Sequence, residues 1–128
     1  MHRFLLSFLW VLLSACSAAA DADKVSLELA RAEHEAGRVT LIDIREAAEH
    51  RTGIAQGALL LPMSTLPQRL DMLDKNPAKP VLLICNTQNR SKATLNELKK
   101  RGYQNIRYVD GGMSQWAAKG WPMSQPQP

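Results

Sequence analysis

The chain has 128 residues, 45% hydrophobic and 22% charged, which gives room for one domain around one core and excludes a disordered or fibrous body. Its formal charge of +4 and pI of about 9.3 come from basic residues scattered among acidic ones. That pattern excludes the clustered basic face of a nucleic-acid binder and leaves a solvated surface, mildly attractive to anions, on an expected monomer.

The first twenty residues hold one charged side chain, Arg3, beside His2, then the apolar stretch Phe4 to Leu13, then small residues up to Ala20. This order is the layout of a secretory signal. Its apolar core is about half of the ~20 residues needed to span a bilayer, which argues for export over a permanent transmembrane helix. Two processing sites compete. Leu13-Ser14-Ala15-Cys16 resembles the lipobox of bacterial lipoproteins, in which Cys16 would be lipidated, become the new N-terminus and attach the protein to the membrane. Ala18-Ala19-Ala20 ahead of Asp21 suits ordinary signal peptidase. The expected organisation is therefore a signal peptide over residues 1–20, a folded domain over 21–123 and a frayed tail over 124–128, in an exported, periplasmic protein. Loss or lipidation of Cys16 leaves Cys85 as the sole thiol, so no internal disulfide can form. A lone thiol in an oxidising compartment is either reactive or buried and inert, and cysteine statistics alone leave both open.

From Lys24 the pattern alternates between helix and strand. Ser26 suits an N-cap for a helix through Ala36, with Leu27, Ala30 and His34 on one stripe and Gly37 ending it. Val39 to Ile42 reads as a strand, Glu46 to Arg51 as a brief helix, and Gly53 and Gly57 punctuate a loop. Ala58 to Leu61 reads as a short strand, and Ser64 as the cap of a helix that Pro67 starts and Leu73 ends. Asn76 to Pro80 is a turn. Val81 to Ile84, four aliphatics in a row, reads as a central strand buried on both faces. Ser91 to Arg101 follows as a helix with Ala93, Leu95 and Leu98 inward and Gly102 at its end. Ile106 to Val109 is a strand, and Met113 to Lys119 a last helix closed by Gly120. Interleaving at this spacing predicts an α/β fold with a mostly parallel central sheet flanked by helices.

Cys85-Asn86-Thr87-Gln88-Asn89-Arg90-Ser91 lies between the buried strand and the next helix. Ligands of open parallel sheets bind at such strand ends. Loop amides and a helix N-terminus there can form an anion hole that favours a nucleophilic sulfur. Arg90, a permanent cation with a bidentate fork, adds to the field and suits an anionic substrate.

This loop resembles the active-site loop of the rhodanese family, where cysteine opens a short loop and Arg-Ser commonly closes it. Asp43-Ile44-Arg45-Glu46 is similar to the family's D-x-R-E segment, and Gly57-Ala58 with Pro62 to its G-A-x-x-x-P stretch. Gly111-Gly112-Met113-Ser114-Gln115-Trp116 with Gly120 and Pro122 resembles its closing G-G-x-x-x-W-x-x-x-G-x-P signature. The resemblance implies a three-layer α/β domain and a sulfurtransferase, with Cys85 as the nucleophile that carries a persulfide. It implies that Asn86, Thr87, Gln88, Asn89, Arg90 and Ser91 bind a small anionic sulfur donor such as thiosulfate. The acceptor would be cyanide or a thiol, and no metal or organic cofactor is needed. The loop departs from the common pattern in having Asn86 where many members have arginine, and Gln88 where many have glycine. A positive φ at Gln88 would carry strain of about 1 to 3 kcal/mol, unless Asn89 takes over the bend. The flank Gly53-Ile54-Ala55-Gln56 lacks the family's usual histidine and proline.

Two rivals share these residues. A phosphatase or arsenate reductase of this architecture usually has its arginine one position further from the cysteine than Arg90 stands from Cys85, to fit a tetrahedral oxyanion. A persulfide carrier or thiol sensor would use Cys85 without turning over thiosulfate. Asp43, Arg45 and Glu49 are expected to form a structural ion-pair network, and Trp116 to pack in the core. His34 and His50 lack partners at metal-ligand spacing, and Asp110 suits either a turn cap or the active-site face.

Overall fold

Val81–Ile84 forms the middle strand of a five-stranded, wholly parallel sheet, and all four of its side chains are buried. The structure, a computed structural model, describes residues 22–128. The expected leader, with Cys16 and both processing sites, lies outside the described residues.

In chain order the elements are β1 (Lys24–Val25), α1 (Leu27–Glu35), β2 (Thr40–Asp43), α2 (Ala47–His50), β3 (Ile54–Ala55) and β4 (Leu59–Leu60). Two 3-10 turns (Leu66–Gln68 and Leu70–Met72) precede β5 (Val81–Ile84), α3 (Asn89–Lys100), β6 (Ile106–Val109), α4 (Gly112–Ala118) and β7 (Met123–Ser124). The sheet order is β1-β6-β5-β2-β4, and β3 pairs with β7 in a separate antiparallel ribbon.

Successive side chains of a strand face opposite ways. Val81 and Leu83 therefore join a core with Ile42, Leu66, Leu95 and Leu98, whereas Leu82 and Ile84 join another with Leu41, Leu27, Ala30, Met113 and Trp116. The sheet thus separates α3 and the 3-10 turns on one face from α1 and α4 on the other, giving three layers. β5 holds its place by pairing with β2 from Thr40↔Val81 to Asp43↔Ile84 and with β6 from Val81↔Ile106 to Leu83↔Tyr108.

Helix α1 starts as expected, with the Ser26 hydroxyl accepting from the Leu29 amide at 3.2 Å. Gly37 follows its end at φ +71°. Helix α3 differs in phase from the sequence reading. It begins at Asn89, and its buried stripe is Ser91, Thr94, Leu95 and Leu98, so Ala93 is exposed. The spacing of 91, 94, 95 and 98 is the helical repeat, and Ala93 falls outside it. Ser64 caps no helix. Its hydroxyl donates to Glu46 Oε2 at 2.7 Å and its amide to Oε1 at 3.0 Å, and the segment after it makes two 3-10 turns where one helix was expected. Beyond Trp121 the chain stays attached: Met123 and Ser124 pair with Ala55 and Ile54, and Trp116 Nε1 donates to Pro122 O at 3.0 Å. Ser124, assigned to a frayed tail, is thus a strand residue.

Candidate active site

Cys85 continues the alternation of β5. Following Val81 and Leu83, it faces the α3 layer among Ile42, Ile44, Leu61 and Leu95, and only 1% of its surface is exposed. It is the free cysteine of the described residues and stands where the strand gives way to the loop. The candidate nucleophile is thus almost fully buried, at the junction of strand and loop.

That loop is pinned from outside. The Met113 amide donates to Cys85 O at 2.8 Å, and the Ser114 amide to Asn86 O at 3.0 Å. Both donors belong to the first turn of α4, whose amides have no partner within their own helix. The peptides are trans, and in a trans peptide the C=O and the next N–H point opposite ways. Fixing those two carbonyls on α4 therefore turns the Asn86 and Thr87 amides away from it. Among the described residues the amides of Asn86, Thr87 and Gln88 meet no acceptor, and α3 begins directly after them. Free amides beside a helix N-terminus make an anion-binding concavity.

The double glycine makes this docking possible. Gly111 has φ +83° and Gly112 φ +58°, and a Cβ on Gly112 would lie 2.4 Å from both Cys85 O and Thr87 O. Only a residue without a side chain lets α4 approach the loop so closely. The loop itself contains no left-handed residue. Gln88 has φ −152°, no residue other than glycine has positive φ in the described chain, and Asn89 is the first residue of α3. The left-handed bend expected at Gln88 or Asn89 is absent because the strand-to-helix turn is made at negative φ, and the left-handed residues are in the glycine pair opposite.

Arg90 is engaged. Its Nη1 and Nη2 donate to Glu49 Oε2 at 2.8 Å and Oε1 at 2.6 Å, a bidentate pair of the strongest kind between side chains. Glu49 Oε2 also accepts the Glu46 amide at 2.9 Å, which ties the start of α2 to the loop. The Arg90 hydrogen bonds, helped by that amide and by the Arg90 and Arg45 charges, hold the Glu49 carboxyl down at about 2 against the opposing effect of burial. Arg90 is raised, first by the Glu49 hydrogen bond and also by the Glu49 charge, against the opposing effect of burial. Glu49 was expected beside Asp43 and Arg45; its hydrogen-bond partner is Arg90.

The Ser91 hydroxyl is fully buried and has no hydrogen-bond partner. Asn86, Thr87 and Asn89 are exposed, and Gln88 is half-buried. Below them, Asp43 takes both oxygens to Arg45, with Nε at 3.1 Å from each and Nη2 at 2.7 Å from Oδ2, and Arg45 also donates to Gly53 O at 2.8 Å. His50 Nε2 lies 3.4 Å from Asp43 Oδ1 without hydrogen-bond alignment. These groups are structural supports for the turn after β2. His34 bonds Gln56 O at 2.7 Å, Asp110 lies 4.0 Å from Lys24, and Trp116 is core. No group of three or more His, Cys, Asp or Glu among the described residues could hold a metal. A 420 Å³ cleft lined by His34, Glu35, Gln56, Gly57, Trp116 and Pro122 includes none of the loop residues.

Comparison with known proteins matches the same elements. The rhodanese-like domain profile covers residues 26–119. A sulfurtransferase of Allochromatium vinosum is 33% identical over 107 residues, spanning 84% of this chain and 94% of the relative. A thiosulfate sulfurtransferase, GlpE, of Tolumonas auensis is 32% identical over 93 residues, 73% of this chain and 86% of that protein. The crystal structure of a rhodanese-related protein from Thermoplasma volcanium superposes with a TM-score of 0.68 at 27% identity, covering 80% of this chain and 98% of that one. A rhodanese-like domain protein from Staphylococcus aureus shares the fold with a TM-score of 0.71 at 24% identity, over 82% and 99% of the two chains. The five-stranded parallel sheet, the cysteine loop at the end of its middle strand and the glycine-led helix that pins it are those of a chain that belongs to the rhodanese-like domain family, among its sulfurtransferases.

Proposed function

We propose that the chain moves a sulfane sulfur from a donor such as thiosulfate to a thiol or cyanide through a persulfide on Cys85. The Cys85 thiolate attacks the outer sulfur of thiosulfate, a Cys85 S–S bond forms, the donor S–S bond breaks, and sulfite leaves with the electron pair. The acceptor then attacks the outer sulfur and releases the Cys85 thiolate, so the cycle closes without external oxidant or reductant. The free amides of Asn86, Thr87 and Gln88, with the α3 N-terminus, stabilise the anionic sulfur as preorganised dipoles. The unpartnered Ser91 hydroxyl is a further donor in the same turn. Arg90 and the side chains of Asn86, Thr87, Gln88 and Asn89 would contact the donor at the rim. We place this chemistry in an exported protein, on the strength of the leader sequence and its two processing sites.

The observation that carries the reading is the anchoring of Cys85 O and Asn86 O on α4, since it turns the loop amides away from that helix. A second reading, a carrier loaded by another protein's persulfide, draws support from the Arg90 fork being occupied by Glu49. Mass spectrometry after thiosulfate treatment should find a gain of about 32 Da on the Cys85 peptide, and Cys85→Ser should lose all thiosulfate:cyanide transfer. Full activity in that variant would remove the mechanism. Loading by a partner's persulfide but never by small donors would select the carrier.

A further inference from the structure

Arg90 is the one lysine or arginine in the loop from Cys85 to Ser91, and both ends of its fork are already on Glu49. The pair is about one-third exposed on each side, at 32% and 35%, so a donor arriving from solvent meets a neutralised guanidinium. Glu49 cannot readily swing aside, because its Oε2 is also held by the Glu46 amide at 2.9 Å. Glu46 puts a second carboxylate at the same end of α2, fixed by Ser64. Arg45, whose charge also acts on Glu49, is itself paired with Asp43, so three carboxylates meet two guanidiniums and this edge of the site stays acidic.

We infer that Glu49 is a specificity-determining residue, which holds the loop's cation in a closed ion pair and so biases the site towards sulfur donors bearing a single negative charge at the reacting end. This rests on the sulfurtransferase reading above. Thiosulfate is a dianion at neutral pH and must either displace Glu49 from Arg90 or bind beside an uncompensated carboxylate. A thiosulfonate or a thiol persulfide presents the same transferable sulfur with one charge fewer. With methanethiosulfonate the Cys85 Sγ–S bond forms, the donor S–S bond breaks, and methanesulfinate leaves with the electron pair, so the two donors differ chiefly in charge.

The test is the ratio of kcat/KM for thiosulfate to that for methanethiosulfonate, measured on the wild type, Glu49→Gln, Glu49→Ala and Glu49→Asp. The neutral variants should raise the ratio about three- to tenfold, the size of a charge-assisted contact discounted for partial exposure. Glu49→Asp, which keeps the charge, should stay within about twofold of the wild type. Equal losses for both donors would make Glu49 a mere strut for Arg90 and overturn the inference. An unmoved ratio in the neutral variants, or a shift in Glu49→Asp as large as theirs, would overturn it too. Wild-type protein that gains sulfur on Cys85 from neither donor would overturn the sulfurtransferase reading itself and this inference with it, a result told apart by the mass of the Cys85 peptide.

Discussion

The Asp43 side chain has no exposed surface and is held by Arg45, two residues on. Removing one partner of a buried pair leaves the other charge uncompensated, which costs about 3–5 kcal/mol. Asp43→Ala should lower stability by that amount in chemical denaturation. Asp43→Leu combined with Arg45→Met should recover much of it, because no charge is then stranded. The Asp43–Arg45 pair was legible from the D-x-R spacing, since both partners lie in one turn. Glu49 was not: its partner Arg90 is 41 residues away, and local spacing says where a charge stands but not which distant residue meets it. Cys85 was legible for the opposite reason, as the residue that ends an unbroken aliphatic run.

Helix α4 is held against the loop by its second and third amides, those of Met113 and Ser114, so its approach distance decides the loop's shape. Gly112→Ala would set a Cβ 2.4 Å from two loop carbonyls at φ +58°, and sulfur transfer should fall at least tenfold with weakened thermal stability. Gly120→Ala is the control: its φ is +67° but nothing lies within 4 Å of the added Cβ. It should cost only about 1–2 kcal/mol of backbone strain and leave kcat near the wild-type value. Sequence periodicity found the elements with several turns or several buried residues, such as α1, α3, β5 and β6. It missed β1, β3 and β7, two residues each, because a pair of residues shows no alternation, whereas β4, equally short, was found because Leu59 and Leu60 sit in a longer apolar run. It also read one helix between Ser64 and Leu73, where Ser64 had been recruited by Glu46.

The order of the sheet, β1-β6-β5-β2-β4, brings the two halves of the chain together at its centre. The alternation of strands and helices made the α/β class readable, but nothing in a linear pattern says which strands become neighbours. The end of the chain was likewise underestimated, since proline and glutamine suggest a loose tail while backbone pairing to Ile54 and Ala55 depends on a distant segment. Truncation after Trp121 removes that ribbon and the Pro122 acceptor of Trp116. It should lower the unfolding free energy by about 1–3 kcal/mol, read from the denaturant midpoint, whereas removal of residues 126–128 should leave the midpoint unchanged.

The grip of α4 on the cysteine loop also dictates when the centre comes into being. A growing polypeptide that has emerged only as far as residue 105 already owns its sulfur, its strand and its guanidinium, yet lacks the two N–H groups that steer the loop. Reactivity should therefore arrive late, once residues 113 and 114 have been added, and a copy that ends at residue 105 should leave sulfur donors untouched.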